Sequence, residues 1–536
     1  MYLNKYLKIL SISTFILLNL VLVYFSFSNY SGSSLLFLFL FTISNAYIFY
    51  SYKYSMLFLD KTLSVFLWLG FFYKLCVIII FKHSFPEGGG AFSYSGHDFD
   101  NLLKYSSIGI LSFLMASLLF NKIFNNKRLF YKIEINSLLF FYKKYRKYIF
   151  LVFFVLILFV GTTNIYLGFY QKGLLESYKI NFFFGAFLKW MLLFGLTSIS
   201  CLLLEYEIKV FKKLSIIVLF LFFFELAFTN LSLLSRSMIF GGSAVIFSIY
   251  FNYENKIFKD SLKNSLVLNF IILFIIFALL IFPINKIRNS SYIDGLYVAE
   301  KSAKELLQGG EISNIEIKKM LEGDETSNIE IKKIIESDFS DEKKIKVISR
   351  KIINTESQIL DLNENVERII FVIKNRFVGL DGVAAVTSYP KKNFNLLKRA
   401  LSEEFNPNLY GFYQRTFIIP FENNNETSYK RSSKRHYGII IPGILSFLSY
   451  PGSLFFLSIS ALVIHFFCSS IEHLSRKLSF DSVVFSSFIG FVLGYRLIHF
   501  GYLPKQSYLI LSAIILTILL IFFVKYMIIK FFKVNE

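Results

Sequence analysis

Charged residues are scarce in this chain of 536 residues: they make up 17% of the sequence, against about 25% in typical soluble domains. Hydrophobic residues account for 55% and aromatic residues for 19%, and the mean hydropathy is +0.56. So much apolar surface cannot be buried in one or two water-soluble domains of this length. The composition therefore predicts a protein whose solvent is lipid.

Cysteine is also rare, and the common catalytic motifs are missing. The three cysteines, Cys76, Cys201 and Cys468, lie in or beside apolar segments without a CxxC spacing, so we predict packing residues rather than a disulfide framework or a zinc site. There is no Walker lysine loop, no GxGxxG after a strand, no HExxH and no GxSxG in a suitable context. ATP-driven transport and soluble-type hydrolysis are unsupported, and we expect neither a cofactor nor a metal.

Long Phe/Leu/Ile blocks are what the sequence has in abundance. Each is long enough to cross a bilayer as a helix, whereas the alternating segments of a membrane β-barrel are missing. We predict an all-α polytopic membrane protein with about 12 transmembrane helices, the first of them retained as an anchor rather than cleaved as a signal. The predicted spans are 7–27, 34–51, 63–81, 105–121, 148–168, 185–204, 214–233, 238–252, 265–283, 438–467, 482–499 and 507–528.

The net charge of +21 comes mostly from short basic clusters between apolar blocks, which argues for membrane topology rather than nucleic-acid binding. Alternate loops are basic, and this pattern predicts that both termini are cytoplasmic. The chain then divides into a bundle of about nine spans at 1–283, an extracytoplasmic loop domain containing helices at 284–437, and about three spans at 438–536. SNIEIKK occurs twice in the loop domain, at 313–319 and 327–333, and we expect function in its second half.

Three arginines map to the predicted extracytoplasmic boundary: Arg236 in SLLSRSMIFGG, Arg288 in FPINKIRNSS and Arg376 in NRFVGLDGVAAV. Arginine near a span is costly and usually marks a paired or functional site. Its planar guanidinium group stays protonated and can hold a diphosphate through two parallel hydrogen bonds. The alternative for each arginine is an interfacial anchor that reaches the lipid headgroups.

Asp381 and His436 are the other candidates. Gly379 and Gly382 flank Asp381 and predict a tight turn that presents it at the head of a helix re-entering the bundle, where it either caps the helix or orients Arg376 or a sugar hydroxyl. His436 precedes a span and could take a proton from an acceptor hydroxyl, although an ordinary interfacial histidine is the alternative.

The span after His436 contains helix breakers. Pro442, Gly443, Pro451 and Gly452 predict a broken or kinked helix, which is tolerated where neighbouring protein re-satisfies the backbone. Such breaks often border a cavity.

The layout resembles the O-antigen polymerase (Wzy-type) and O-antigen ligase superfamily of bacterial envelope glycan assembly. The resemblance lies in the many spans, the large outer loop, the arginine turn at Ser235–Ser237, Arg376 followed by GLDG, and the block HYGIIIPGILSFLSYPGSLFF. It covers most of the chain as architecture and about 50 residues as motif.

This resemblance implies metal-independent glycosyl transfer at the periplasmic face of the bacterial inner membrane, which polymerises oligosaccharide repeat units linked to undecaprenyl diphosphate. Arg236, Arg288 and Arg376 would then bind the departing diphosphate. His436 would be the base for the acceptor hydroxyl, with Asp381 beside it in the catalytic machinery. Expected partners are the lipid-linked oligosaccharides, membrane lipid and a chain-length regulator protein, and no nucleic acid.

Other functions remain open. A flippase or transporter of lipid-linked oligosaccharide would carry charged residues at span centres, where Glu225 and Lys189 are exceptions among apolar residues. A glycosyltransferase that uses polyprenyl-phosphate sugars would need an acid in an early outer loop, and Asp98 and Asp100 are candidates. A structural or assembly protein without catalysis is the third alternative.

Overall fold

The structure is a computed structural model that describes most of the predicted membrane bundle and part of the predicted loop domain. Within the described residues the secondary structure is helical, and they contain no β-strand. The described residues are 2–81, 85, 90–124, 135–171, 181–235, 238–253, 269, 271–276, 279–280, 284, 377–404, 406, 409–421, 441–501 and 504–531.

The described residues up to Tyr253 include ten α-helices, and two of the apolar segments contain a π-helical stretch. The π-helix Trp68–Tyr73 joins α3 to α4, and the π-helix Met191–Gly195 joins α7 to α8. The helices are α1 (Tyr2–Phe27), α2 (Ser34–Lys53), α3 (Phe58–Leu67), α4 (Lys74–Phe81), α5 (Gly96–Phe124), α6 (Ile135–Leu167), α7 (Phe182–Trp190), α8 (Leu196–Phe211), α9 (Ile216–Ser232) and α10 (Met238–Tyr253).

The C-terminal part combines short and long helices. A π-helix, Gln414–Ile418, and a 3-10 turn, Ile419–Phe421, lie among the short ones. The α-helices are α11 (Leu380–Thr387), α12 (Phe394–Leu401), α13 (Ile444–Leu448), α14 (Leu454–Leu478), α15 (Val483–Ile498) and α16 (Pro504–Phe531).

Seven of the described helical segments are long and apolar enough to cross a membrane, and α9, α15 and the second half of α1 are shorter apolar helices. A helix suits this solvent because it satisfies its own backbone N–H and C=O groups. Large apolar side chains remain exposed on the outer helices, as at Phe455 on α14 and Leu509 on α16, where lipid would cover them. The chain is therefore a multi-pass helical membrane protein, as predicted, while the total of 12 spans stays a prediction.

The span predicted at 438–467 requires a correction. The structure has extended chain at 441–443, the single-turn helix α13, a turn, and then a long helix that begins only at Leu454. Gly443 and Gly452 have φ values of +84° and +77°, a conformation that ends a right-handed helix and that other residues rarely adopt. The predicted break is thus confirmed, and it displaces the start of the membrane helix by sixteen residues relative to 438.

The helices pack around one apolar core, and the largest helix pairings join α5 to α14 and α3 to α15. Two ends of the bundle can be defined. At the first, which we call the Glu472 end, Glu472 of α14 contacts the start of α3. The second, the Asp381 end, holds Asp381 and α13; Lys74, which Asp381 contacts, lies sixteen residues after Phe58, or about 24 Å along the helix axis.

Candidate functional site

Asp381 lies in the first turn of α11, a helix in which every residue is buried. Gly379 precedes it with a φ of +132°, so the backbone turns sharply into the helix at a residue without a side chain. A Cβ atom at Gly379 would also fall 2.5 Å from the ring of Phe71. The predicted arrangement, a glycine turn that presents Asp381 at the head of a helix entering the bundle, is confirmed.

Lys74 is the partner of Asp381. Its Nζ lies 2.9 Å from Asp381 Oδ2, and the two side chains are 4% and 2% exposed, so water cannot compensate either charge. The same ammonium group donates a hydrogen bond to the carbonyl of Phe377 at 3.0 Å. Lys74 begins α4 directly after a π-helix, a local irregularity that often accompanies functional sites.

The Asp381 carboxylate keeps one oxygen available. Among the described residues, Oδ1 is buried and has no hydrogen-bond partner, while Oδ2 is held by Lys74. Asp381 does not cap its own helix with its side chain, because the N-cap residue is Gly379 and no side-chain cap bond forms. Of the two roles predicted for Asp381, the capping role is therefore wrong, and the orienting role stays a prediction.

The chain on the C-terminal side of His436 packs directly onto α11. A Cβ atom at Gly382 would lie 2.1 Å from the carbonyl oxygen of Pro442, so only glycine permits this approach. Ser446 donates a hydrogen bond to the Gly382 carbonyl at 2.8 Å, and the Gly443 amide donates to the carbonyl of Phe500 at 3.0 Å. A segment within the predicted loop domain and the chain that follows this domain thus meet at one place.

The π-helix before Lys74 approaches the same place. A Cβ atom at Gly70 would lie 2.3 Å from the carbonyl oxygen of Val378. The residues next to Arg376 in sequence, Phe377 and Val378, are therefore held by contacts with both Gly70 and Lys74. Backbone segments from three parts of the chain close around the Lys74–Asp381 pair.

A second polar pair lies in the segment 403–421. Arg415 donates to Glu403 Oε1 at 2.9 Å and to the carbonyl of Tyr410 at 2.8 Å. Burial raises the pKa of the Glu403 carboxyl above its ordinary value, and the Arg415 guanidinium group opposes that shift. The π-helix that contains Arg415 also carries Phe417, which packs against Tyr389 and Tyr450. The segment 403–421 therefore covers the C-terminal end of α11.

The early loop acids have structural partners. Asp100 accepts hydrogen bonds from the Ser33 amide at 2.6 Å and from the Tyr30 hydroxyl at 3.3 Å. Burial and the neighbouring Asp100 raise the pKa of the Tyr30 hydroxyl. Asp98 accepts from the Ser93 amide at 2.8 Å. Both carboxylates therefore fix backbone turns, which weakens the case for either as the acid of a glycosyltransferase that uses polyprenyl-phosphate sugars.

Four of the five predicted site residues, Arg236, Arg288, Arg376 and His436, lie outside the described residues. Their convergence at one pocket stays a prediction, and Asp381 alone is described. Sequence reasoning missed Lys74, although a lysine inside the apolar segment 63–81 was a usable signal, since charged residues within spans are usually functional or paired.

In the described part of the chain, no cluster of three or more His, Cys, Asp or Glu residues has the geometry of a metal site. The three cysteines are free and buried. No protein-family model, no curated protein and no solved structure matches this chain. Function must therefore be argued from its own residues.

Proposed function

We propose that this chain is a membrane glycosyltransferase that polymerises oligosaccharide repeat units carried on undecaprenyl diphosphate. In this proposal it resides in the bacterial inner membrane with about 12 spans and both termini cytoplasmic. The loop domain 284–437 and the Asp381 end of the bundle then face the periplasm, where lipid-linked repeat units are available.

The observation that carries the proposal is the buried Lys74–Asp381 pair, enclosed by the segments that adjoin Arg376 and His436. Irregular backbone at membrane depth is tolerated where it is buried in protein or lines a polar cavity. A fully buried ion pair costs desolvation energy that apolar residues would not, so its presence beside such backbone favours a functional role. A diphosphate headgroup that slides in from the bilayer would meet fixed polar groups here.

The helix ends on either side of position 236 support the proposed grouping of Arg236 with Asp381. Phe247 of α10 packs against Phe58, and the Tyr253 hydroxyl lies 3.5 Å from Glu205 Oε1, so the C-terminal half of α10 lies at the Glu472 end. Its first residue, Met238, consequently lies toward the Asp381 end, as does the last residue of α9. The described residues that flank positions 236 and 237 therefore lie toward the end that holds Asp381.

The proposed reaction joins an acceptor hydroxyl to the anomeric carbon of the growing glycan. The new glycosidic C–O bond forms while the bond from that carbon to the diphosphate oxygen breaks. His436 takes the proton of the acceptor hydroxyl, and undecaprenyl diphosphate leaves with the bonding electrons. Arg236, Arg288 and Arg376 stabilise the departing anion, which is the charge compensation that a metal ion would otherwise supply.

Lys74 and Asp381 act as positioning residues in this scheme. Lys74 fixes the Phe377 carbonyl and therefore the backbone that leads to Arg376. The free Oδ1 of Asp381 can accept a hydrogen bond from a sugar hydroxyl or from a guanidinium group. Neither role requires the pair to exchange a proton.

A genetic experiment tests the proposal. The gene is deleted, and surface polysaccharide is examined on gels before and after complementation with wild type, Arg376→Ala, Arg288→Ala, Lys74→Met or Asp381→Asn. Collapse of the ladder to a single-repeat band in the deletion and in the variants is the expected result. Arg476→Ala is the matched control, because Arg476 is partly exposed and paired with Asp481 at the Glu472 end.

The other outcomes separate the competing functions. An unchanged ladder in the deletion strain would remove the polymerase proposal. Loss of all repeat-bearing material, including the single-repeat band, would instead favour export or ligation of lipid-linked oligosaccharide. Each variant is compared at equal membrane abundance, so that a folding defect is not mistaken for a catalytic one.

A further inference from the structure

Glu225 is a buried carboxyl near the middle of α9 and is unrelated to the Lys74–Asp381 pair. It is 0% exposed, and in the described part of the chain it forms no ion pair with a lysine, arginine or histidine. An ionisable group at the centre of a membrane helix is costly and commonly marks a site for an ion or a substrate.

Hydroxyl groups from two helices surround this carboxyl. Thr197 of α8 and Thr229 of α9 both donate to Glu225 Oε1, at 3.1 Å and 3.2 Å. The Ser200 hydroxyl lies beside the same carboxyl and is 2% exposed. Thr197 follows the π-helix Met191–Gly195 by one residue, in the middle of the long segment formed by α7 and α8. The oxygens therefore gather near the midplane of the bundle.

These hydroxyls behave differently from others in the bundle. Thr42, Thr62, Thr162 and Thr517 each donate to the carbonyl four residues earlier in their own helix. Thr197 and Thr229 instead turn toward Glu225. Among the described residues, Glu225 Oε2 and Ser200 Oγ have no hydrogen-bond partner although both are buried. The carboxyl therefore keeps acceptor capacity at Oε2, to which neither threonine donates.

The charge and the chemistry of the donors define the ligand. Carboxylate and hydroxyl oxygens suit hard cations, and such oxygen sites near the midplane hold coupling ions in membrane proteins. A single carboxylate supplies one negative charge, so a monovalent cation would leave the site neutral, whereas a divalent cation would leave an uncompensated charge in a medium of low dielectric constant. We propose that Glu225, Thr197, Thr229 and Ser200 form a binding site for a dehydrated alkali cation between α8 and α9.

This inference goes beyond the proposed glycosyl transfer, which needs no ion at this place. A bound cation links two helices through four side chains and stabilises the folded protein by an amount that grows with the logarithm of the cation concentration once this exceeds the dissociation constant. The experiment follows from that linkage. Purified full-length protein in detergent is heated at increasing NaCl or KCl concentration, with N-methyl-D-glucamine chloride keeping ionic strength constant.

For the wild type, the unfolding temperature should rise with the concentration of one or both alkali cations, and logarithmically above the dissociation constant. Glu225→Gln should abolish this rise. Thr197→Val, Thr229→Val and Ser200→Ala should each raise the dissociation constant obtained from the rise by about tenfold, equivalent to about 1.4 kcal/mol of binding free energy. Thr162→Val is the control and should leave the response unchanged, because the Thr162 hydroxyl is exposed and bonds its own helix.

A second reporter covers the case in which Glu225→Gln fails to fold. The chain has two tryptophans, and Trp190 directly precedes the π-helix next to Thr197. In a Trp68→Phe background its fluorescence should saturate with alkali cation, and the half-saturating concentration should equal the dissociation constant obtained from the thermal shift. The proposal is overturned if wild-type protein responds only to pH, or if the hydroxyl variants bind sodium and potassium as the wild type does.

Discussion

The buried carboxylates of Glu472 and Asp381, at opposite ends of the helical bundle, have opposite roles. At the Glu472 end, Glu472 accepts hydrogen bonds from the amides of Phe58 and Leu59, the first two residues of α3, at 2.6 Å and 2.9 Å. At the Asp381 end, the carboxylate sits in the first turn of its own helix but binds a lysine and keeps an oxygen free. The Glu472 carboxylate satisfies the amides at the start of another helix, whereas the Asp381 carboxylate keeps an oxygen that can bind a ligand.

A second carboxylate at the Glu472 end also accepts hydrogen bonds from the start of another helix. Glu205 of α8 accepts from the amides of Val483 and Val484 at the start of α15, each at 3.2 Å. A helix N-terminus carries unpaired amides and a partial positive charge, so a carboxylate supplied by another helix satisfies both. Connections between consecutive helices are also short here, as between α14 and α15. This end is built for rigid closure.

At the Asp381 end, short helices and turns interrupt the regular packing of long helices. The described elements that precede the long helix α14 here are all short: α11, α12, the π-helix Gln414–Ile418 and α13. Contacts between glycines and carbonyl groups, as at Gly382 and Pro442, replace regular helix packing. Stability and candidate function are therefore assigned to different ends of the bundle, and four experiments test this separation.

The largest effect is expected for Lys74→Met, which leaves the Asp381 charge buried and unpaired. We expect a loss of about 4 kcal/mol in the free energy of unfolding, as for other broken buried pairs, and loss of the polysaccharide ladder. The double variant Lys74→Met/Asp381→Leu should regain most of the stability without restoring the ladder. A titration with SDS in mixed micelles measures stability, and recovery of the ladder in the double variant would contradict a functional role for the pair.

Glu472→Ala should cost about 3 kcal/mol, because two buried amides of α3 lose their acceptor. The ladder produced per folded molecule should stay at the wild-type length, since Glu472 lies at the opposite end. Folded protein is quantified by size-exclusion chromatography of a fluorescent fusion. A shortened ladder at equal folded abundance would show that the two ends are not separate.

A matched pair of glycine substitutions should cost about 2 kcal/mol each, typical of overpacking. A Cβ atom at Gly382 would displace the Pro442 carbonyl, and one at Gly490 would lie 2.3 Å from Glu472 Oε2. The Glu472 carboxylate cannot move freely, because each of its two oxygens accepts a hydrogen bond from an amide. Gly382→Ala should shorten the ladder, whereas Gly490→Ala should not. Equal effects on the ladder would contradict the comparison.

The smallest effect concerns pH. Burial lowers the pKa of Lys392, and the nearby Asp98 partly opposes this; the Lys392 ammonium donates to the Thr387 carbonyl at the end of α11. Because the folded protein holds this proton less tightly than the unfolded chain, the free energy of unfolding should rise as pH increases through the folded pKa toward the ordinary lysine value. Melting temperatures in alkaline buffers should show a slope that Lys392→Gln reduces.

Much of the local structure could be predicted from the sequence. Apolar blocks gave the positions of the helices α2, α9, α10 and α15 to within a few residues. Glycine and proline gave the break before α14 and the turn before Asp381, because these residues act on the backbone within one or two positions. The charged ends of α5 and α6 were missed, since polar residues outside the apolar block continue the helix there.

The pairing of charged side chains could not be predicted. Lys74 and Asp381 are 307 positions apart in sequence, and Glu472 lies 414 positions from Phe58. Nothing in a local pattern states which helix supplies the partner of a buried charge. The arginines predicted at 236, 288 and 376 lie outside the described residues, and the described partner of Asp381 is a lysine.

The helical structure and the membrane location of this protein follow from its sequence alone, because hydropathy acts over the length of one span and helix-breaking residues act over one turn. The tertiary structure was needed to identify the carboxylates that cap the starts of other helices, the one that keeps an oxygen free beside Lys74, and the hydroxyls that turn toward Glu225. These choices depend on the packing of helices hundreds of residues apart, where a displacement of about 1 Å makes or breaks a hydrogen bond.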